Sequence, residues 1–384
     1  MIPHATASLH LHAGREFREA QRRVLYLLQG LAARGHRVLF CGPRTSALFR
    51  KAQAAGIPCE ALTLRSSHDF PSVVRLARLV RDQHFDLVHA HDAQSHHVAR
   101  AARDLSGERS LTANLFLGHR ELAEPAATLL PAHYAGPGLH HIAVSKPVRD
   151  GLVQRGAEAA RIAIVPDGVD LPGLRRARSN GHDPWGLRAR GRRVVGTCTR
   201  PGREKSLGPL LEAFALLHRR LPDTHLLVAG DGPGRPQVEK LCRDLGLAEA
   251  VTFAGVLEDP AAMYATLHAF VALTDYENTH TCMLEAMGSG TPVVAAAVPG
   301  VLGLVRHGSS ALVVPPRDVP ALAQALGLLL LQPELAQRLV QGASSVAEQH
   351  SVERMVEATL GAYRGLGQID AAAREAMPRE APPP

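Results

Sequence analysis

Two glutamates eight positions apart, Glu277 and Glu285 in DYENTHTCMLEAMGSGTPVVAA, are the residues of this 384-residue chain best suited to hydroxyl-rich ligands. An ionised carboxylate accepts from two neighbouring O–H groups, so one glutamate could meet a sugar and the other the paired hydroxyls of a ribose. Acids at helical spacing are more often surface residues. Glu285, however, stands between Leu284 and Ala286–Met287, just ahead of the apolar run PVVAA, which is a poor place for an idle charge. A second loop, TRPGREKS, follows the strand candidate RVVGTC and carries Arg200, Arg203 and Lys205 in front of a helix beginning near Leu207. Backbone donors and the partial positive charge of a helix N-terminus, joined by Arg and Lys, would clamp a diphosphate. Each charge-assisted bond is worth roughly 1.5–3 kcal/mol. The alternative is a merely basic surface loop. A third element, GDGPG (230–234), lies between a strand and a helix, where Gly232 would let the backbone approach a ligand closely; by itself it is an ordinary turn.

Fourteen of the 21 histidines lie in residues 1–170. Residues two apart in a strand share a face, so His10/His12 and His89/His91 each offer paired imidazoles. No further ligands at HExxH or comparable spacing accompany them, and no metal site is expected. His91 and Asp92, at the carboxyl end of a strand, read as acceptor contacts, and His89 as a buried, hydrogen-bonded core residue. Arg15, Arg18, Arg22 and Arg23 open an amphipathic stretch that is either an anionic-lipid surface or simply the wet side of a helix.

The elements that must position these residues alternate in type along the chain. Strand candidates in the first half are 5–12, 36–41, 58–63, 86–90, 109–113, 140–144 and 162–165, with helical periodicity over 16–33 and 72–82. The rhythm breaks at 173–192, a polar, Gly- and Pro-bearing stretch read as a linker. It restarts with strands 193–198, 224–229, 250–254, 269–273 and 292–296, between helices 206–220, 234–245, 259–266 and 282–288. Helices near 318–331, 334–347 and 351–366 close the chain. Such alternation predicts two doubly wound α/β domains, 1–172 and 193–350, each a parallel sheet covered on both faces. Ligands on such sheets sit at the carboxyl ends of strands, which would face a central cleft. Residues 371–384 are Ala/Pro-rich and expected to be disordered.

Composition narrows the class. An apolar share of 46% and a charged share of 21% are ordinary for a soluble protein, and length suggests about two or three domains. Aromatic content of 4% with a single tryptophan, Trp185, argues against a stacking-based nucleic-acid reader. No uninterrupted apolar run has bilayer-spanning length, and the N-terminus lacks a basic-then-apolar leader pattern. Five widely spaced cysteines fit free thiols in a reducing cytoplasm. Of the basic and acidic totals of 43 and 36, residues 1–170 hold 21 and 15. That basic excess reads equally as a surface for anionic lipid, giving peripheral membrane association, or as solvated arginine.

In order along the chain, Arg200-x4-Lys205, the GDGP turn and Glu277-x7-Glu285 followed by AMGSGTPVVA resemble glycosyltransferase family 4 enzymes of the GT-B fold. So do LAARGHRV, DLVHAHD, IAVSKPVRDGL and VPDGVD in the first half, and the resemblance reaches residue 366 or so. LHLHAGREF and VHAHD look most like the branch that builds lipopolysaccharide and related envelope glycans. The resemblance implies transfer of a sugar from a nucleotide diphosphate donor to a glycan or glycolipid acceptor, with retention at the anomeric carbon. It implies no metal and no cofactor beyond the donor co-substrate. Arg200 and Lys205 would bind the diphosphate and stabilise the departing charge, and Glu285 would bind the ribose. Glu277 would touch the donor sugar, and the backbone of Asn278, Thr279, His280, Thr281 and Cys282 would help hold the phosphates. The helix over 351–370 would cross back to the N-terminal domain. On the acceptor side, Gly14 stands near the place of the family's Gly-Gly pair, where this chain has Arg18-Glu19-Ala20. Asn114 takes the place of a cleft-lining histidine, with His119 further on. Two rival readings accompany this one: a weakly active nucleotide-binding partner subunit, and a nucleotide-sugar epimerase, which the Arg/Lys and Glu-x7-Glu pattern disfavours.

Overall fold

The structure is a computed structural model that describes residues 6–66, 69–107, 111–116, 139–199, 207–272 and 280–375; for 111–116, 280 and 366–375 it describes the backbone alone. The chain forms two compact units, one of residues 1–168 with 352–384 and one of 169–351.

The first unit holds seven strands: β1 Ala7–Leu11, β2 Arg37–Gly42, β3 Cys59–Ala61, β4 Leu87–Ala90, β5 Leu111–Phe116, β6 Leu139–Ala143 and β7 Ile162–Ile164. All pair in parallel, in the order β3-β2-β1-β4-β5-β6-β7. The second unit repeats the design with β8 Arg193–Cys198, β9 Thr224–Ala229, β10 Val251–Gly255, β11 Ala269–Ala272, β12 Val293–Ala296 and β13 Leu312–Val314. Their order is β10-β9-β8-β11-β12-β13, again all parallel. In each sheet the strand order reverses beside the first strand, between β1 and β4 and between β8 and β11. That reversal opens a crevice at the strands' carboxyl ends. The central strands LVHA, THLLVA, AFVA and VVAA are buried at every position, as helices on both faces require.

Helix Glu19–Ala33 shows how the sequence sets this packing. Val24, Leu27, Leu28 and Leu31 recur at helical spacing and are buried in one apolar cluster with Met355, Val356, Leu360 and Tyr363 of the C-terminal helix. Gly30 lies at the crossing, where a Cβ would come within 2.4 Å of Val356. The C-terminal helix, Val352–Glu375, thus belongs to the first unit and runs past residue 371, where a disordered tail was expected; residues 376–384 lie outside the described residues.

Three readings of the sequence need correction. The stretch 173–192 is not a bare linker: helix Leu171–Ser179 occupies its start, capped by Asp170, whose carboxylate accepts from Gly173 N at 2.9 Å. Leu174 and Leu187 are buried in the second unit's core, and Trp185 packs against it. Leu171 and Leu174 close on Gly288, so a few well-placed leucines dock the helix despite its polar composition. Second, β13 is a three-residue strand too short to leave a periodic signal. Third, Arg22 and Arg23 form neither a wet side nor a lipid face. Both are buried; Arg23 pairs with Asp167 and donates through Nη2 to Val165 O at 3.1 Å.

All five cysteines are free. No single helix among the described residues is long and apolar enough to cross a membrane. One pair, Val319–Leu331 with Pro333–Glu348, passes on length and composition only and is bent by 99°. Its Leu322, Leu326, Leu329 and Leu339 are buried in the second unit's core.

Candidate functional site

In the second unit, the segments singled out in the sequence follow the carboxyl ends of β8, β9 and β11, around the strand-order reversal. Arg200 and Lys205, after β8, and Glu277, Asn278 and Thr279, after β11, lie outside the described residues, and His280 is described by its backbone alone. What frames these segments is visible. Thr199, the last described residue after β8, donates its N–H to Ala229 O at 2.9 Å. Directly opposite, Gly230 has φ +113°, and a Cβ there would lie 1.7 Å from the Thr199 carbonyl oxygen. The backbone therefore passes so closely that only glycine fits. Gly230 N donates to Gly255 O at 2.7 Å, and Asp231 Oδ1 accepts from Gly232 N at 2.8 Å. Gly234 then caps helix Arg235–Asp244 without a side-chain bond, so the turn bearing Gly232 leads into a helix N-terminus whose backbone donors no cap side chain fills.

Helix His280–Gly288 carries Glu285, which is 5% exposed. Its Oε2 accepts from Tyr264 Oη at 2.8 Å. Tyr264 comes from helix Ala261–Thr266 and is fully buried, its ring set edge-on to Phe270 with centroids 5.7 Å apart. Burial, reinforced by Cys198, Cys282 and Glu285, pushes the phenol pKa well above its ordinary value. The hydroxyl thus keeps its proton and remains a donor to the carboxylate. Thr281 is half-buried, whereas the Cys282 side chain packs into the core, leaving only its backbone for a ligand. Sequence reasoning missed Tyr264, because nothing about a tyrosine 21 positions upstream marks it as the partner of Glu285.

In the first unit, Gly14, His91 and Asp92 sit at the carboxyl ends of β1 and β4. Asp92 caps helix Ala93–Ser106, accepting from Ser95 N at 2.8 Å, and also from Ala13 N at 2.6 Å. Its Oδ2 lies 3.3 Å from His12 Nδ1, which accepts from Gly14 N at 2.9 Å, while His12 Nε2 contacts Gln21 at 3.1 Å. Burial lowers the His12 pKa against the pull of Asp92. His91 corrects the expectation of an acceptor contact: it is 1% exposed and packs among other imidazoles. The β1–β4 register sets His10 opposite His89, and His91 follows two residues on, on the same face. His10 Nδ1 is 2.9 Å from His91 Nε2, and the His89 and His91 rings stack with centroids 4.0 Å apart. The motifs LHLH and VHAH carried this signal, but only strand register brings them together. Asn114 is set by β5 between Ala90 and His141, and His119 lies outside the described residues.

Two parallel, doubly wound units, with a glycine turn and a buried carboxylate near the strand-order reversal of the second, define a GT-B glycosyltransferase. Residues 20–172 match Glycosyltransferase Family 4, and residues 192–332 match Glycosyl transferases group 1. The chain belongs to glycosyltransferase family 4. It is 29% identical to the D-inositol 3-phosphate glycosyltransferase of Corynebacterium urealyticum over 321 residues, covering 78% of this chain and 74% of that one. Over 167 residues it is 36% identical to the alpha-D-kanosaminyltransferase of Streptomyces kanamyceticus, covering 43% of each. Among solved structures, Anabaena HepE in complex with UDP and glucose aligns with TM-score 0.75 at 18% identity, over 97% of this chain and 100% of that one. That likeness concerns the fold.

Proposed function

We propose that this chain transfers a sugar from a nucleoside diphosphate sugar, held by the second unit, to a glycan or glycolipid acceptor bound by the first. The observation that carries the proposal is Glu285: a nearly buried carboxylate, held by a phenol, on the helix that follows the strand at the sheet's reversal. A carboxylate so placed accepts from paired ribose hydroxyls, while the glycine turn after β9 lets the backbone approach a ligand closely. Arg200 and Lys205 would stabilise negative charge on the departing diphosphate in place of a metal, with Glu277 at the sugar. The HepE complexes with UDP and the GDP-mannose-dependent mannosyltransferase of Mycolicibacterium smegmatis, 32% identical over 220 residues, support a nucleotide donor. Retention is the stereochemistry proposed with it, and a cytoplasmic site of action with acceptor at a membrane surface fits the basic excess of residues 1–170.

Calorimetric titration with UDP, GDP, ADP and their sugar conjugates tests the donor half. One nucleoside diphosphate binds, and Glu285→Gln, which keeps an acceptor for Tyr264, weakens it and its sugar conjugate alike by at least tenfold. Unchanged affinity in that variant would remove Glu285 from the donor site.

A further inference from the structure

The buried imidazoles of the first unit have a chemistry that sugar transfer does not use. His10, His89 and His91 each present one ring nitrogen within 4.8 Å of the other two. His10 and His91 are already joined, Nδ1 to Nε2, at 2.9 Å. The remaining nitrogens divide in a telling way. His10 Nε2 is held by Ser8 Oγ at 2.9 Å, and His89 Nδ1 by Tyr363 Oη at 2.6 Å. His89 Nε2 and His91 Nδ1 are buried and have no hydrogen-bond partner among the described residues. Each of the three residues is at most 1% exposed, so bulk solvent does not reach them.

His89 has a hydroxyl on one ring nitrogen and no partner among the described residues on the other, the arrangement by which an imidazole is oriented to ligate a metal. We propose that His10, His89 and His91 bind a divalent transition ion of the Zn²⁺ class. His89 would ligate through Nε2 and His10 through Nδ1, with His91 completing the set. Three nitrogens without a carboxylate among them suit such an ion and not Mg²⁺ or Ca²⁺, which require oxygen ligands. Burial lowers the His10 pKa to about 3 and those of His89 and His91 well below the ordinary value, so all three rings are neutral, as ligands must be. Binding changes no proton count: the proton shared between His10 and His91 moves to the far nitrogen of its own ring. The rings must splay from their stack to bring the nitrogens to about 3.3 Å from one another, the edge of a tetrahedron at ordinary Zn–N lengths. The ion would tie β1 to β4 and, through Tyr363, to the C-terminal helix.

The test uses the full, tag-free chain stripped with chelator and then titrated with Co²⁺, read by visible ligand-field absorption, with metal content measured after desalting. One ion per chain, with the intense absorption of a four-coordinate site and a raised melting temperature, is expected. His10→Gln and His89→Asn should each abolish the absorption. Tyr363→Phe, which keeps all three ligands, should weaken binding about tenfold or more. Absence of four-coordinate absorption in the wild-type chain overturns the proposal even where a variant fails to fold. Retention of full stoichiometry in a folded His10→Gln variant overturns it as well, since the chain's other histidines would then be responsible.

Discussion

At the residue scale, the contact that matters most for the donor reading is the one between Tyr264 and Glu285. Removing a hydrogen-bond donor from a buried carboxylate costs about 1–3 kcal/mol. Tyr264→Phe keeps the ring against Phe270 and removes only the hydroxyl. The second unit should therefore lose about that much stability, and nucleoside diphosphate affinity should fall several-fold as Glu285 loses its fixed orientation. Trp185, the only tryptophan and packed on the second unit's core, reports that unit's urea transition by fluorescence. A midpoint equal to that of the wild-type chain would show that the phenol does not stabilise the carboxylate. Glu285 was legible in the sequence because a charge amid apolar neighbours needs a reason. Tyr264 was not, because a partner in space leaves no trace in spacing. The same holds for His10: each histidine pair was visible alone, but their convergence depends on parallel register, which sequence periodicity does not contain.

At the scale of elements, strands that are apolar throughout were readable, and so were the long helices with one apolar stripe. Helix Leu171–Ser179 was not, since only Leu171 and Leu174 of its nine residues are buried and the rest reads as polar coil. The Asp170 cap sets its start, and tertiary contact with Gly288 docks it. The joint between β8 and β9 gives the sharpest prediction at this scale. Gly230 combines a φ of +113° with a Thr199 carbonyl that a Cβ would strike. An L-residue there costs about 1–3 kcal/mol in backbone strain alone, and the clash adds to it. Gly230→Ala should lower the second unit's stability by more than that strain and shift Thr199, the residue that precedes Arg200. Nucleotide binding should weaken even at temperatures where the variant is folded. Crystals or spectra of Gly230→Ala with an unaltered second unit and unaltered affinity would contradict the close approach of the two strand ends.

At the scale of the whole molecule, the count of neutral buried imidazoles sets how the fold responds to acid. His10 has a pKa of about 3 in the folded chain against 6.5 in the open one, and burial is the cause. At pH 7 the ring is neutral in both states, so it contributes no pH dependence. Below 6.5 the unfolded chain takes up a proton that the folded chain refuses until about pH 3. Stability is therefore fully present above pH 6.5 and is lost as pH falls through that window. The loss is about 1.4 kcal/mol per pH unit for each such ring. His89 and His91 act in the same direction in the first unit, and His225 and His268, both lowered to about 4, do so in the second. Urea midpoints of the metal-free chain should fall steadily between pH 6.5 and 5, and both units should take part, Trp185 fluorescence following the second and far-ultraviolet circular dichroism the whole. Replacing His10 by Asn removes one titrating ring, so the acid-side slope should shrink by about one proton in the dichroism signal while the fluorescence slope stays as it was. A flat profile from pH 6.5 to 5 would mean that the cluster already carries charge in the folded state. It would then be a cationic patch and not a set of neutral ligands, and the packing of three rings between β1, β4 and the C-terminal helix would have to rest on counter-charges.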